Sequence, residues 1–156
     1  MTLYLLRHGK ADWPDWTGHD DERPLNDEGI REMRRVAAAL ARLKIEPEFI
    51  LSSPLPRALR TAEIAAEALG RPVQQRSELA PGFDSRKCDA LLAGRDGPGV
   101  MLVGHEPDFS GIVRSFTGAR VKFPKAAIAA IEVSDEMPVA RLLWLIPAKM
   151  LIRLYG

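Results

Sequence analysis

Cysteine is almost missing from this chain: of 156 residues only Cys88 carries a thiol. A lone cysteine excludes an intramolecular disulfide and fits a reducing compartment. It falls in the helix-like stretch 87–92, which marks it as a buried structural thiol. An excess of either charge is missing too. Lys and Arg number 22 against 21 Asp and Glu, for a net charge of +1, so there is no electrostatic case for nucleic acid or an anionic membrane. Long apolar runs are absent: the one near the C-terminus, residues 142–146, is far too short to span a bilayer. The N-terminus lacks the basic start, apolar core and small-residue cleavage site of a signal peptide. There is no internal repeat, low-complexity tract or linker. The expectation is a single domain over residues 1–156, in the cytoplasm, long enough to bury a core.

Strand-like and helix-like segments alternate along that length. Residues 2–6 read as a first strand, followed by a polar loop over 10–25 that carries Trp13 and Trp16. Asn26 caps a helix with Asp27 and Glu28 in its first turn, as the helix dipole favours. Ile30, Met33, Ala37 and Leu40 give that helix one buried face. Residues 49–52 read as a second strand, and Ser53-Pro54 as the cap and first position of a helix ending at Gly70. A short edge strand at 73–75 and a weaker helix between Asp84 and Ala93 follow. The apolar run 100–103 reads as a central strand. A helix from near Pro107 turns Phe109, Ile112, Val113 and Phe116 inward. Residues 127–133 and 141–146 flank a turn at 134–138 and form a hairpin. The alternation predicts an α/β sandwich around a mostly parallel sheet.

In such a sheet, ligands bind beyond the carboxyl ends of the parallel strands. Three predicted strands end in polar groups there. The first delivers Arg7-His8-Gly9, an awkward finish for a buried strand, because the arginine disfavours a second positive charge on the adjacent imidazole. The second delivers Ser52-Ser53 and a helix whose first turn bears Arg57. The run 100–103 delivers Gly104-His105-Glu106. Two guanidiniums and a helix N-terminus suit a tetrahedral dianion such as phosphate. Phosphoryl transfer is mainly positioning and charge neutralisation, so the missing part is a nucleophile. There is no P-loop signature, and Cys88 lies elsewhere, which leaves His8 attacking through a neutral ring nitrogen.

Each residue alone has a plainer use. His105 would serve as a structural strand-end histidine and Arg57 as a solvated helix residue. A metal site from His8, His19 and His105 lacks the usual ligand spacing, and no metal or cofactor is expected. Trp13, Trp16, Asp12 and Asp15 either line a binding rim or pin their loop to the body.

The ordered blocks Arg7-His8-Gly9, Ser52-Ser53-Pro54-Leu55-Pro56-Arg57-Ala58-Leu59-Arg60-Thr61-Ala62 and Leu102-Val103-Gly104-His105 resemble the signatures of the histidine phosphatase superfamily, the phosphoglycerate-mutase-like fold. The resemblance runs nearly end to end. It implies a three-layer α/β sandwich, His8 as the phosphohistidine, and Arg7, Arg57 and His105 as its phosphate pocket. Arg23-Pro24-Leu25, Glu78-Leu79-Ala80-Pro81-Gly82 and the short length are most similar to the SixA-like phosphohistidine phosphatases. By the same resemblance Arg23 contacts the phosphate or the incoming substrate. About forty residues separate Ala62 from Gly104, too few for the long lid of mutase-type members. The family's general acid maps to Glu78, with Asp84 second, although Asp84 reads equally well as a helix cap.

The resemblance thus implies a metal-independent phosphatase with His8 as nucleophile and a protonated His105. Its substrate is a phosphohistidine protein or, as the rival, a small phosphomonoester. A non-catalytic phosphate- or phosphoprotein-binding module is the remaining reading.

Overall fold

The computed structural model describes residues 1–136 and 140–155. Six strands form one sheet: β1 (Thr2–Arg7), β2 (Ile50–Ser52), β3 (Val73–Gln75), β4 (Gly99–Gly104), β5 (Ile128–Glu132) and β6 (Arg141–Ile146). The order is β3-β2-β4-β1-β5-β6. The first four are mutually parallel, while β5 and β6 run antiparallel as the expected hairpin. Of the turn expected at 134–138, Met137 and Pro138 lie outside the described residues.

Side chains alternate across the sheet because successive strand residues point to opposite faces. Leu6, Ile50, Met101 and Val103 join the core on one face, and Leu3, Leu5, Leu51, Val100 and Leu102 that on the other. The first face is covered by α1 (Asp27–Arg42), α2 (Pro56–Leu69) and α5 (Ala148–Tyr155), the second by α3 (Ser85–Leu92) and α4 (Asp108–Thr117). The result is three layers with β4 buried along its whole length, as a run apolar on both faces requires.

Side-chain caps open α1 and α3. The Asn26 side chain accepts from Gly29 N at 2.7 Å to open α1, and Asp84 accepts from Lys87 N at 3.0 Å to open α3. The start of α2 differs from the sequence expectation by two residues. Ser53-Pro54 belongs to the turn before the helix; Leu55 is the N-cap and Pro56 takes the first position, where a missing N–H costs nothing. The sequence reading also passed over α5. Its eight residues pack on α1 through Ala148 and Leu151, and Arg42 Nη1 donates to the Tyr155 carbonyl at 3.0 Å. So short a helix owes its stability to that packing more than to its own propensity. Between Ala62 and Gly104 the chain holds the end of α2, β3, a 3-10 turn at Ser77–Leu79 and α3, with no long lid.

Candidate active site

Register alone brings the strand-end groups together. Arg7 pairs with Gly104 across the parallel β1–β4 ladder, and the next step up His8 N donates to the Gly104 carbonyl at 3.0 Å. On the other side of β4, Ser53 N donates to the Val103 carbonyl at 3.0 Å. His8, Ser53 and His105 therefore leave three neighbouring strands at one level. The two imidazoles sit with ring centroids 5.3 Å apart and planes inclined by 56°. Both are buried, as is Arg57, while Arg7 is half-buried.

The hydrogen bonds assign the protons. His8 Nδ1 lies 2.7 Å from the Gly9 carbonyl, which can only accept, so Nδ1 carries the proton and Nε2 keeps a lone pair. His105 Nε2 lies 2.8 Å from Ser53 Oγ, and that oxygen also accepts from Leu55 N at 3.2 Å. The hydroxyl can give its own proton to Nε2, and His105 Nδ1 is then a buried N–H donor with no partner among the described residues. The Nε atoms of Arg7 and Arg57 are in the same condition. Unused buried donors on two cations and an imidazole suit an oxyanion.

Burial is the main reason both imidazoles resist protonation. It holds His8 at about 3 and His105 at about 4, with Arg57 and Arg7 adding to the effect in each case. In the free protein His105 is therefore neutral. Asp20 and Asp21 pull His105 the other way. Burial likewise lowers the pKa of both arginines, without bringing a guanidinium near neutrality.

Neighbouring groups fix the arginines. Arg7 Nη1 donates to the Phe123 carbonyl at 2.8 Å. Arg57 Nη1 donates to the Asp20 carbonyl at 2.8 Å, and its Nη2 lies 3.6 Å from the Asp20 carboxylate. Asp20 in turn accepts from Arg23 Nε at 3.1 Å, and Arg23 Nη1 donates to the Ala11 carbonyl. Arg23 is thus brought beside Arg57 through a shared carboxylate. Thr61 ties the segment after His8 to α2: its Oγ1 accepts from Gly9 N at 3.1 Å and donates to the Arg57 carbonyl at 2.8 Å. Gly9 lets Met33 pack close. Its φ is not positive, and a Cβ there would lie 3.0 Å from Met33 Cγ.

The remaining candidates separate. Asp84 caps α3 on an exposed surface. Glu78 is half-buried in the 3-10 turn whose Leu79 carbonyl faces Gly104, and its carboxylate makes no ion pair among the described residues. His19 is exposed and caps the 3-10 turn Asp20–Glu22; among the described residues no three His, Cys, Asp or Glu side chains are grouped to hold a metal ion. Cys88 is buried, and burial pushes its thiol up to about 12, so it is inert. Sequence reasoning missed Asp20 and Asp21, and it named Ser53 and Thr61 without the contacts they make here. The run Ser52-Ser53 at a strand end was the one visible signal among them.

A family model described as the histidine phosphatase superfamily (branch 1) matches residues 3–81. An uncharacterised protein of Picosynechococcus sp. is 38% identical over 141 residues, which is 84% of each chain. Phosphohistidine phosphatase SixA of Escherichia coli is 29% identical over 142 residues, 86% of this chain and 87% of its own. The solved structure of the protein histidine phosphatase SixA complexed with tungstate superposes with a TM-score of 0.85 at 27% identity, covering 96% of this chain and 98% of that one.

Proposed function

The chain belongs to the histidine phosphatase superfamily, and from that premise we propose that it removes phosphate from phosphohistidine side chains of a protein through a covalent intermediate on His8. The observation that carries the reading is a buried, uncharged His8 with its Nε2 lone pair free, 5.3 Å from His105 and in the field of Arg57 and Arg7. His8 Nε2 attacks phosphorus in line, the bond from phosphorus to the substrate nitrogen breaks, and that nitrogen leaves with the electron pair and gains a proton. Water then attacks phospho-His8 in line, the bond to Nε2 breaks, and inorganic phosphate departs. Arg7, Arg57 and the Nδ1–H of His105 hold the non-bridging oxygens through both steps. A bound dianion raises the His105 pKa, so the ring gains its charge when the ligand arrives. Arg23 completes the rim of the pocket.

Three features favour a phosphorylated protein over a small sugar phosphate. There is no long lid between Ala62 and Gly104 to enclose a small molecule. The phosphorus–nitrogen bond is labile and needs less help from an acid, and no carboxyl acid is built into this site as firmly as the histidines. The Escherichia coli relative is named for phosphohistidine, and the superposed SixA structure holds tungstate, a tetrahedral oxyanion like phosphate.

The test is direct. His8→Ala keeps the wild-type circular dichroism and loses turnover, while wild type briefly exposed to substrate yields an acid-labile, alkali-stable phosphoenzyme. EDTA leaves the rate unchanged. Full activity in His8→Ala overturns the mechanism. A larger kcat/KM for p-nitrophenyl phosphate than for a phosphohistidine protein overturns the substrate class and favours the phosphomonoesterase reading.

A further inference from the structure

We propose that Trp13 and Trp16 form an aromatic platform on the rim of the phosphate site that grips a basic side chain flanking the phosphorylated residue of a protein substrate. The inference rests on the phosphoprotein reading above and adds the chemistry of the surrounding segment.

The platform is built, not accidental. Trp13-Pro14-Asp15-Trp16 closes as a turn, with Trp16 N donating to the Trp13 carbonyl at 3.1 Å and Pro14 at the position where a fixed φ helps. The turn sets the two rings side by side, centroids 6.4 Å apart and planes inclined by 45°. Both indole nitrogens are tied inward: Trp13 Nε1 donates to the Pro24 carbonyl at 2.9 Å and Trp16 Nε1 to the His19 carbonyl at 3.1 Å. The Trp16 ring lies over Gly18, where a Cβ would stand 2.9 Å from Cζ2. With their indole nitrogens bonded, Trp13 and Trp16 are still 41% and 37% exposed as residues. What they turn to solvent is apolar face, held in one orientation, which is how aromatic residues serve at interfaces.

Position and charge choose the partner. Pro24 follows Arg23 and His19 precedes Asp20, so each indole hangs from a residue next to one member of the Arg23–Asp20 pair, and Asp20 in turn holds Arg57. A phosphoryl group held at Arg57 brings its flanking residues to this rim, whereas a free phosphorylated amino acid has nothing to place there. The same loop exposes Asp15, Asp21 and Glu22, and Asp15 and Glu22 make no ion pair among the described residues. Asp12 and Asp20 are already matched to Lys125 and to Arg23 and Arg57. Open aromatic faces beside unpaired carboxylates attract an arginine or lysine.

The test measures binding in a His8→Ala background, where no ligand turns over. The probes are free phosphoserine and two phosphoserine peptides of equal length, one flanked by arginines and one by glutamates. Adding Trp13→Ala and Trp16→Ala weakens the arginine-flanked peptide about five- to thirtyfold and leaves the other two ligands unchanged. Trp13→Phe with Trp16→Phe keeps the preference, because faces without indole nitrogens suffice. Equal binding of the arginine-flanked peptide with and without the indoles overturns the proposal, as does a parallel loss for all three ligands. The phosphohistidine reading fails separately, if wild type cleaves p-nitrophenyl phosphate but no phosphohistidine peptide of either flank.

Discussion

Ser53 Oγ stands 2.8 Å from His105 Nε2, and this one contact decides which edge of the second imidazole faces an incoming anion. The hydroxyl accepts from Leu55 N, and with its own proton given to Nε2 the outward group is Nδ1–H. Ser53→Ala leaves Nε2 an unpaired buried acceptor and frees the ring to turn over. A neutral hydrogen bond of this kind contributes about 1 kcal/mol, so kcat/KM falls about five- to tenfold. Competitive inhibition by inorganic phosphate weakens by a similar factor. Steady-state kinetics with phosphate as inhibitor measures both, and an unchanged inhibition constant contradicts the assignment.

The two depressed histidines make stability depend on pH in a definite direction. Burial holds His8 at about 3 and His105 at about 4, while the unfolded chain protonates both near the ordinary value of 6.5. Below that value the unfolded state binds up to two more protons than the folded one, so stability is full above it and is lost as pH falls. Each histidine contributes up to about 1.4 kcal/mol per pH unit once the unfolded ring is fully protonated and about half that at pH 6.5, so the pair removes roughly 3 kcal/mol between pH 6.5 and pH 5. Urea denaturation at those two values checks it, with the His8→Asn, His105→Asn double variant as the flattened control. Saturating phosphate also reduces the slope, since it favours the charged form of His105.

How much of this was legible beforehand follows from what each residue depends on. Arg7, His8 and His105 end apolar runs, and parallel register carries such ends to one edge, so their meeting could be read from the chain. Arg57 read by itself as a solvated helix residue. Its burial to 5% exposure depends on the Asp20 loop closing over it, a contact between residues 37 apart in sequence. Ser53 read as a helix cap because Ser-Pro is a cap signature; Leu55-Pro56 competes two residues later and wins, which frees the hydroxyl for His105. The short α5 does carry a helical period, with Ala148, Leu151, Ile152 and Tyr155 on one side, but it follows the last strand with no cap signal, and its fit against α1 is what holds it.

Asp20 holds Arg23 and Arg57 with one carboxylate, so it competes with phosphate for the same guanidiniums. Its carbonyl, which accepts from Arg57 Nη1, survives substitution, and the side chain is largely exposed. Asp20→Asn therefore removes charge without collapsing the loop. Phosphate and tungstate bind about two- to fivefold more tightly, a small factor because solvent screens an exposed pair. Isothermal titration with each oxyanion, at low and at high salt, reads the change. The gain shrinks as salt rises; a loss of affinity would mean that Asp20 mainly organises the arginines.

Thr61 joins the segment after His8 to the helix that carries Arg57 through a single hydroxyl, and its removal separates fold from chemistry. The side chain is fully buried, accepting from Gly9 N and donating to the Arg57 carbonyl. Thr61→Val keeps the volume and leaves Gly9 N–H buried without a partner, a loss of about 1–3 kcal/mol. The Arg57 carbonyl suffers less, because it keeps its place in the helix. Urea denaturation at neutral pH reads the loss of stability. The Gly9 carbonyl that fixes the His8 tautomer belongs to the same short segment, so kcat falls as well, while KM for a small ester changes little. Thr61→Ser restores the hydroxyl and with it the rate, although the lost methyl group still lowers stability. A valine variant as stable and as active as wild type would show that the Gly9 backbone is held by strand register alone.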